Sequence, residues 1–264
     1  MAKEKYTVEK IVLPDLAPVA VGDSGVVMHR YMPRGEVPAP GVVVLPIQGG
    51  DYEISTMFAK YLARVGFQAL RFERRDDWLD PEKEIVYLGE LMKQYLADIL
   101  RGIDWWLTEA EDGPAHLGLF GVSMGANMGT IIAAREPRLK GQVFIIGGGD
   151  IAGILATAND EEINEYRKNL SARLGIEESQ LAPLFHEVID PIDNLNEAAG
   201  VNEKTTLFVS SRFDAVVRYP YNSRLWEAMG RPKRIVLPCG HYSTVVFVPL
   251  IKLWTKRWFR KLLT

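Results

Sequence analysis

The segment that most constrains how this chain can fold is Gly121-Val122-Ser123-Met124-Gly125. It follows the apolar run His116-Leu117-Gly118-Leu119-Phe120 and precedes Ala126-Asn127-Met128-Gly129-Thr130-Ile131-Ile132-Ala133-Ala134-Arg135. The first run reads as a buried strand and the second as a helix. A strand that becomes a helix within one residue forces that residue, Ser123, into a strained backbone conformation. A side chain two positions before or after it would strike the neighbouring strand or helix, so both positions must be glycine. The serine hydroxyl is therefore predicted to stand above the edge of a sheet, at the start of a helix whose amide dipoles favour negative charge. Composition alone predicts the Gly-x-Ser-x-Gly pattern roughly 0.07 times in such a chain, so its position between strand and helix carries the reading.

A serine hydroxyl is a weak nucleophile; it needs a base, and the base needs an acid to orient it. Chains built on this turn place them in the order serine, acid, histidine. Downstream, Thr205 to Ser211 reads as a β-branched strand, followed by the loop Arg212-Phe213-Asp214-Ala215-Val216-Val217. A helical pattern from Tyr219 to Met229, closed by Gly230, leads to a strand at Arg234–Leu237 and the loop Pro238-Cys239-Gly240-His241-Tyr242-Ser243. Asp214 lies 91 residues after Ser123, and His241 lies 27 after Asp214. That second interval fits one strand–helix–strand unit, which puts both groups at the same edge of a parallel sheet. Of the four histidines, His29 falls in an N-terminal strand-like run, His116 at the wrong end of the strand before Ser123, and His186 in a helical pattern. Those three read as structural, which leaves His241 as the base. Asp190 and Asp193, in a loop further upstream, are rivals to Asp214 for the acid.

On Gly-Val-Ser-Met-Gly, the Phe-Asp-Ala-Val-Val loop and the Gly-His-Tyr-Ser loop, the chain resembles the α/β-hydrolase superfamily from about Gly41 to His241. Within it the chain looks most like the dienelactone hydrolase and prolyl-oligopeptidase-like serine esterase group; Asp190-Pro191-Ile192 ahead of the Asp214 strand is also similar. Dienelactone hydrolases proper carry cysteine as nucleophile, so with Ser123 their activity is not implied. The resemblance implies an α/β-hydrolase fold: a mainly parallel sheet with helices on both faces and a small helical insertion before the Asp214 strand. Acyl transfer also calls for an oxyanion site of two backbone N–H groups, one from Met124 and one from the loop after an earlier strand. The strand is Gly41-Val42-Val43-Val44-Leu45 and the loop Pro46-Ile47-Gln48-Gly49-Gly50-Asp51. The family often has His-Gly here and this chain has Gln48-Gly49; Gly50 is the first choice for the second donor, with Gln48 or Ile47 behind it.

Length and composition agree with a single compact domain, which the resemblance makes one α/β-hydrolase domain over 1–264. The chain has 264 residues, 47% hydrophobic and 25% charged, with a formal net charge of −3. No basic stripe dominates, which argues against a nucleic-acid partner. The one cysteine, Cys239, excludes an internal disulfide and fits a reducing, cytoplasmic setting. It reads as a small buried filler. Met1-Ala2-Lys3-Glu4-Lys5 precedes no apolar stretch of signal-peptide type, and no apolar run approaches the length of a membrane span. The basic stretch Val245 to Thr264 could lie on a membrane as an amphipathic helix, but the plainer expectation is the last helix of the fold, packed on the sheet. A homodimer is compatible with the sequence.

Elsewhere strand and helix patterns alternate. Helices are expected at Glu53 to Val65, with Ile54, Met57, Phe58, Tyr61 and Leu62 facing inward, and from about Glu84 to Thr108. Strands are expected at Phe67–Phe72 and Gln142–Ile146, and the stretch to Met32 adds strands at one edge. Residues 150–204 form the insertion, with helical patterns at Glu161–Leu174 and Ser179–Val188. As a lid it would wall a pocket with Ile154, Leu155, Leu184 and Phe185; the alternative is surface helices without substrate contact. Arg74-Arg75-Asp76-Asp77 could meet an anionic substrate, though an internally paired loop is the stronger expectation. The function expected is a serine hydrolase, a carboxylesterase on a small ester, needing no cofactor or metal. A serine peptidase or amidase, an acyltransferase, and a non-catalytic binding protein on the same fold are the alternatives.

Overall fold

A computed structural model describes residues 5–16, 21–23, 25–35, 39–49 and 52–264. Eight strands form one sheet in the order β1-β2-β4-β3-β5-β6-β7-β8. They are β1 (Tyr6–Leu13), β2 (Val26–Pro33), β3 (Gly41–Val44), β4 (Gln68–Phe72), β5 (Leu117–Val122), β6 (Leu139–Ile145), β7 (Thr206–Ser211) and β8 (Lys233–Leu237). β1 and β2 pair antiparallel at one edge, and β2 meets β4 antiparallel. From β4 through β3, β5, β6, β7 and β8 every pairing is parallel. Parallel strands require crossovers, which is why the intervening segments are helices.

Those helices are α1 (Glu53–Arg64), α2 (Ile85–Thr108), α3 (Met124–Arg135), α4 (Ile151–Thr157), α5 (Glu161–Leu174), α6 (Leu181–Ile189), α7 (Tyr219–Ala228) and α8 (Val248–Leu263). The central strands are apolar on both sides because both faces are covered. Val43, Leu119, Phe144 and Phe208 point into a core shared with α2, α3, α4, α6 and α7. Their neighbours Val42, Val44, Phe120, Val143 and Val209 point the other way, against Phe58, Ala59 and Leu62 of α1 and Ile251 and Phe259 of α8. α8 thus packs on the sheet as the last helix of the fold. Its sixteen residues and the 24 of α2 include no stretch apolar enough to cross a membrane, nor does any other helix among the described residues.

The strand and helix expectations hold to within a few residues. Two details differ. On α1, Ile54 is exposed, and the buried face is Ser55, Phe58, Ala59, Leu62 and Ala63; the small side chains let the helix approach the sheet closely. The insertion also begins with α4, a seven-residue helix that the sequence patterns do not single out. Its start is fixed from a distance: Asp193 accepts hydrogen bonds from the N–H groups of Ile151 (2.6 Å) and Asp150 (3.3 Å). Ile154, Leu155 and Phe185 are buried in the core and Leu184 packs against it. Phe185 stacks on Tyr166 of α5 with ring centroids 6.2 Å apart.

Candidate active site

Ser123 sits in the one-residue turn between β5 and α3 with φ 53° and ψ −120°, a left-handed conformation that costs a non-glycine residue energy. The turn closes so tightly that a Cβ on Gly121 would lie 2.2 Å from the carbonyl oxygen of Gly125. One on Gly125 would lie 2.8 Å from the carbonyl oxygen of Pro46 and 3.2 Å from Cβ of Leu45. Both glycines are therefore steric requirements, as the sequence pattern implies. The Ser123 N–H is held by the Ile145 carbonyl at the end of β6 (2.9 Å), and its own carbonyl accepts from Ala126 (2.8 Å) and Asn127 (3.1 Å). What remains for its hydroxyl is the space above the sheet.

Ser123 follows β5, Asp214 follows β7 and His241 follows β8, so all three groups stand at the C-terminal edge of the parallel part of the sheet. Ser123 Oγ is 3.1 Å from His241 Nε2. His241 Nδ1 is 2.8 Å from Asp214 Oδ2. The other Asp214 oxygen, Oδ1, accepts from the N–H groups of Val216 and Val217, both at 2.9 Å. With its side chain only 2% exposed, the carboxylate has no rotation left to it. Since Asp214 accepts, His241 must carry its proton on Nδ1 and present a bare Nε2 to the serine. The loop bearing His241 is tied to the loop bearing Asp214 by Phe213 N–H donating to the Cys239 carbonyl (3.0 Å). Cys239 is buried, with Sγ 3.3 Å from Ser211 Oγ and 3.4 Å from Thr244 Oγ1, in keeping with a filler.

The other histidines and the rival acids have partners elsewhere. His29 pairs with Glu73 (2.6 Å), His116 Nδ1 meets the Leu263 carbonyl (2.8 Å), and His186 pairs with Asp190 (2.9 Å). Asp193 is spent on the start of α4; burial pushes its carboxyl above the usual range against those backbone N–H groups.

Of the proposed oxyanion donors, Met124 is the first residue of α3, so its N–H has no acceptor within the helix and lies beside the serine. Gly50 lies outside the described residues. Ile47 and Gln48 both give their carbonyls to Arg74 Nη1, the first at 2.9 Å, which fixes that loop from below. The Arg74–Asp77 segment is paired, but mostly beyond itself. Arg75 grips Asp98 through Nε (2.6 Å) and Asp15 through Nη2 (2.6 Å), so neither arginine is turned out to meet an anion.

Two carboxylates near this edge come from the insertion, a feature the sequence reading did not reach. Asp160, the cap of α5, receives the Ile163 N–H on Oδ1 (3.0 Å) and the Tyr242 hydroxyl on Oδ2. The Tyr242 ring stands edge-on to His241, centroids 5.5 Å apart. Glu162 lies so close to Gly49 that a Cβ there would come within 2.5 Å of its Oε2. Burial first, and then the charge of Asp160, push the Glu162 carboxyl up. The link between residues 160 and 242 spans 82 positions and carries no local signal. Among the described residues no cluster of three His, Cys, Asp or Glu side chains is arranged to hold a metal ion.

No protein-family model matches the sequence, and no curated protein sequence matches it. Solved structures do match in shape. A cold-adapted esterase from an Arctic intertidal metagenomic library superposes with a TM-score of 0.65 at 16% identity, over 100% of this chain and 97% of the other. An esterase from Pyrococcus furiosus gives 0.68 at 14% identity, over 98% and 92%. An acylaminoacyl peptidase from Pyrococcus horikoshii gives 0.69 at 14% identity; it covers all of this chain but only 43% of the peptidase. At such identities the likeness is one of fold. The chain has the α/β-hydrolase fold.

Proposed function

We propose that the chain is a serine hydrolase, and specifically a carboxylesterase acting on small esters by acyl transfer. The observation that carries this reading is the unbroken line Ser123 Oγ–His241 Nε2 (3.1 Å) and His241 Nδ1–Asp214 Oδ2 (2.8 Å), mounted on a strained turn beside a helix N-terminus. Each end of the line is anchored by backbone, so its geometry is ready before substrate arrives.

His241 Nε2 accepts the Ser123 proton as the oxygen attacks the ester carbonyl. The imidazolium that forms is steadied by Asp214, whose charge is already held by Val216 and Val217. The Met124 N–H and a donor from the 47–50 loop face the developing oxyanion at the start of α3, where the helix dipole favours negative charge. His241 returns its proton to the leaving alcohol, then takes one from the water that releases the acid. These steps use only side chains and backbone of this chain. We assign the whole of 1–264 to one domain, with 150–204 as an insertion over the site, and place the protein in a reducing compartment on account of its one free thiol.

The peptidase reading is supported by the Pyrococcus horikoshii structure, which contains this chain's whole fold within a much longer one. The ester reading is preferred because three similar structures that are esterases match over 97%, 92% and 85% of their own length. The test is hydrolysis of p-nitrophenyl esters from acetate to decanoate beside aminoacyl p-nitroanilides, each with Ser123→Ala as control. Ester turnover that disappears in the variant is expected; turnover of the anilides alone would make the enzyme a peptidase.

A further inference from the structure

Thirteen large apolar side chains are exposed among the described residues, and most are scattered singly. Six are not: Phe213, Tyr242, Val245, Val246, Leu250 and Leu253. Phe213 is bonded to the loop of His241, and the other five fall within twelve residues that run from that loop into α8. Val245 and Val246 are 68% and 73% exposed, which water disfavours unless something covers them.

The charge of the same region is equally uneven. After Glu227 the chain has no acidic residue, yet residues 228–264 hold eight lysines and arginines. With 31 basic and 34 acidic residues in all, the first 227 positions hold 23 against 34. An acidic body therefore ends in a segment of eight positive charges with no carboxylate side chain of its own, and among the described residues only Arg231 reaches back to one, Glu227 (3.9 Å). Among the described residues none of the α8 cations Lys252, Lys256, Arg257, Arg260 and Lys261 is ion-paired to a carboxylate, whereas Arg75, Arg135 and Arg138 all are. Lys252 lies over the Phe58 and Tyr61 rings, Lys261 lies over Trp258, and Arg260 donates to the Val65 carbonyl; burial, and then Arg64 on α1, hold the Lys252 ammonium below its ordinary range.

On α8 the two properties share one face. At 3.6 residues per turn, the exposed α8 positions Leu250, Leu253, Arg257, Arg260 and Lys261 fall within an arc of about 100°. The opposite side carries Ile251, Thr255, Phe259 and Leu263 into the core. The outward stripe is apolar near the His241 loop and basic further down. A second copy presenting the same face would meet it with like charge, and a water-soluble anionic partner would leave the valines uncovered. An anionic lipid surface satisfies both halves.

We propose that the outer face of α8, with the Val245–Val246 turn, seats the protein on an anionic phospholipid surface. The apolar side chains enter the boundary between headgroups and acyl chains, and Arg257, Arg260 and Lys261 meet the headgroup phosphates. Seated so, the protein holds the Tyr242 and His241 loop next to the interface. The proposal is read by binding alone and stands or falls independently of the esterase reading.

The test is flotation of the full chain with phosphatidylcholine vesicles, and with vesicles in which a third of the lipid is phosphatidylglycerol. Partition onto the anionic vesicles is expected, weakening as salt is raised. A basic residue at such a surface strengthens binding about five-fold, so Arg257→Gln/Arg260→Gln/Lys261→Gln is expected to weaken it about a hundred-fold. Val245→Ser/Val246→Ser is expected to weaken binding to both vesicle types. All five side chains are exposed, and unchanged thermal melts would show that the variants fold. Wild-type partition no greater onto anionic than onto neutral vesicles would overturn the proposal. So would variants that bind like wild type, or a dimer that Val245→Ser/Val246→Ser dissociates, which would assign the face to a second copy.

Discussion

Replacing Asp214 by asparagine should disable the site while leaving its shape intact, and the structure says by how much. Oδ1 of Asp214 accepts two backbone N–H groups, from Val216 and Val217, while Oδ2 accepts the proton of His241 Nδ1. An asparagine has one oxygen, and two acceptor duties compete with one for it. If the oxygen stays on the backbone, the amide NH2 faces His241 and donates to Nδ1. The imidazole proton then moves to Nε2, where it points at Ser123 and can no longer accept the serine proton. If the amide flips, two buried N–H groups face an NH2, and each such loss costs about 1–3 kcal/mol. The flipped, competent form is thus disfavoured by about 2–6 kcal/mol, which corresponds to roughly 1 part in 30 to 1 part in 25,000 at 1.36 kcal/mol per decade. Loss of the charge that steadies the imidazolium adds to this, so kcat should fall toward the 10⁴-fold or so known for the amide replacement in serine triads. The assay is kcat for p-nitrophenyl acetate across pH 6 to 10, with circular dichroism melts in parallel. A fall of less than ten-fold with an unchanged melt would refute the reasoning, because it would mean that the imidazole does not depend on Asp214 for its tautomer.

Four further variants have expected outcomes. Gly121→Ala should cost more than about 3 kcal/mol and abolish activity, since its Cβ would meet backbone at 2.2 Å. Gly66→Ala, where φ is +98° but nothing lies within 4 Å, should cost only about 1–2 kcal/mol, so chemical denaturation of the two variants should separate them clearly. Glu136 is buried, which pushes its carboxyl up, but hydrogen bonds from Arg138 outweigh this and leave it below its ordinary 4.5. An acid with a lowered folded pKa contributes stability above its unfolded value and loses it as pH falls. Thermal melts should therefore show a smaller loss below about pH 4.5 for Glu136→Gln than for wild type, with the variant less stable at neutral pH; parallel curves would contradict this. Tyr242→Phe removes the hydroxyl that Asp160 receives, a bond to a charged group worth about 1.5–3 kcal/mol, and amide hydrogen exchange at the start of α5 should quicken by an order of magnitude or more.

Much of this architecture was legible because its signals are local. The Ser123 turn is specified by glycines two positions away on each side, and the loops of Asp214 and His241 follow β-branched strands at intervals that one crossover fills. The choice of His241 over the other histidines came from placement at strand ends, and the others have partners of their own. What stayed hidden depends on contacts between distant residues. The Ile151–Thr157 helix is too short for periodicity to register, and besides its local cap Asp150 its first N–H is bound by Asp193, some forty positions on. Arg75 reads as part of a charged loop, yet its partners are Asp15 and Asp98, 60 and 23 residues away. Ile54 looks like a core residue by spacing, but alanines at 59 and 63 set which side of α1 lies on the sheet. The clasp between Asp160 and Tyr242 joins a helix cap to the base loop, and no pattern within either segment announces it.

The central claim is that Ser123 is an activated nucleophile, and covalent labelling tests it most directly. The full chain is treated with a fluorophosphonate at neutral pH, and the adduct is counted by intact mass and located by peptide mass spectrometry. One adduct per chain on Ser123 is predicted, with none in Ser123→Ala and a labelling rate reduced by orders of magnitude in His241→Ala. A wild-type chain that stays unlabelled while folded, or that labels equally fast without His241, would contradict the account.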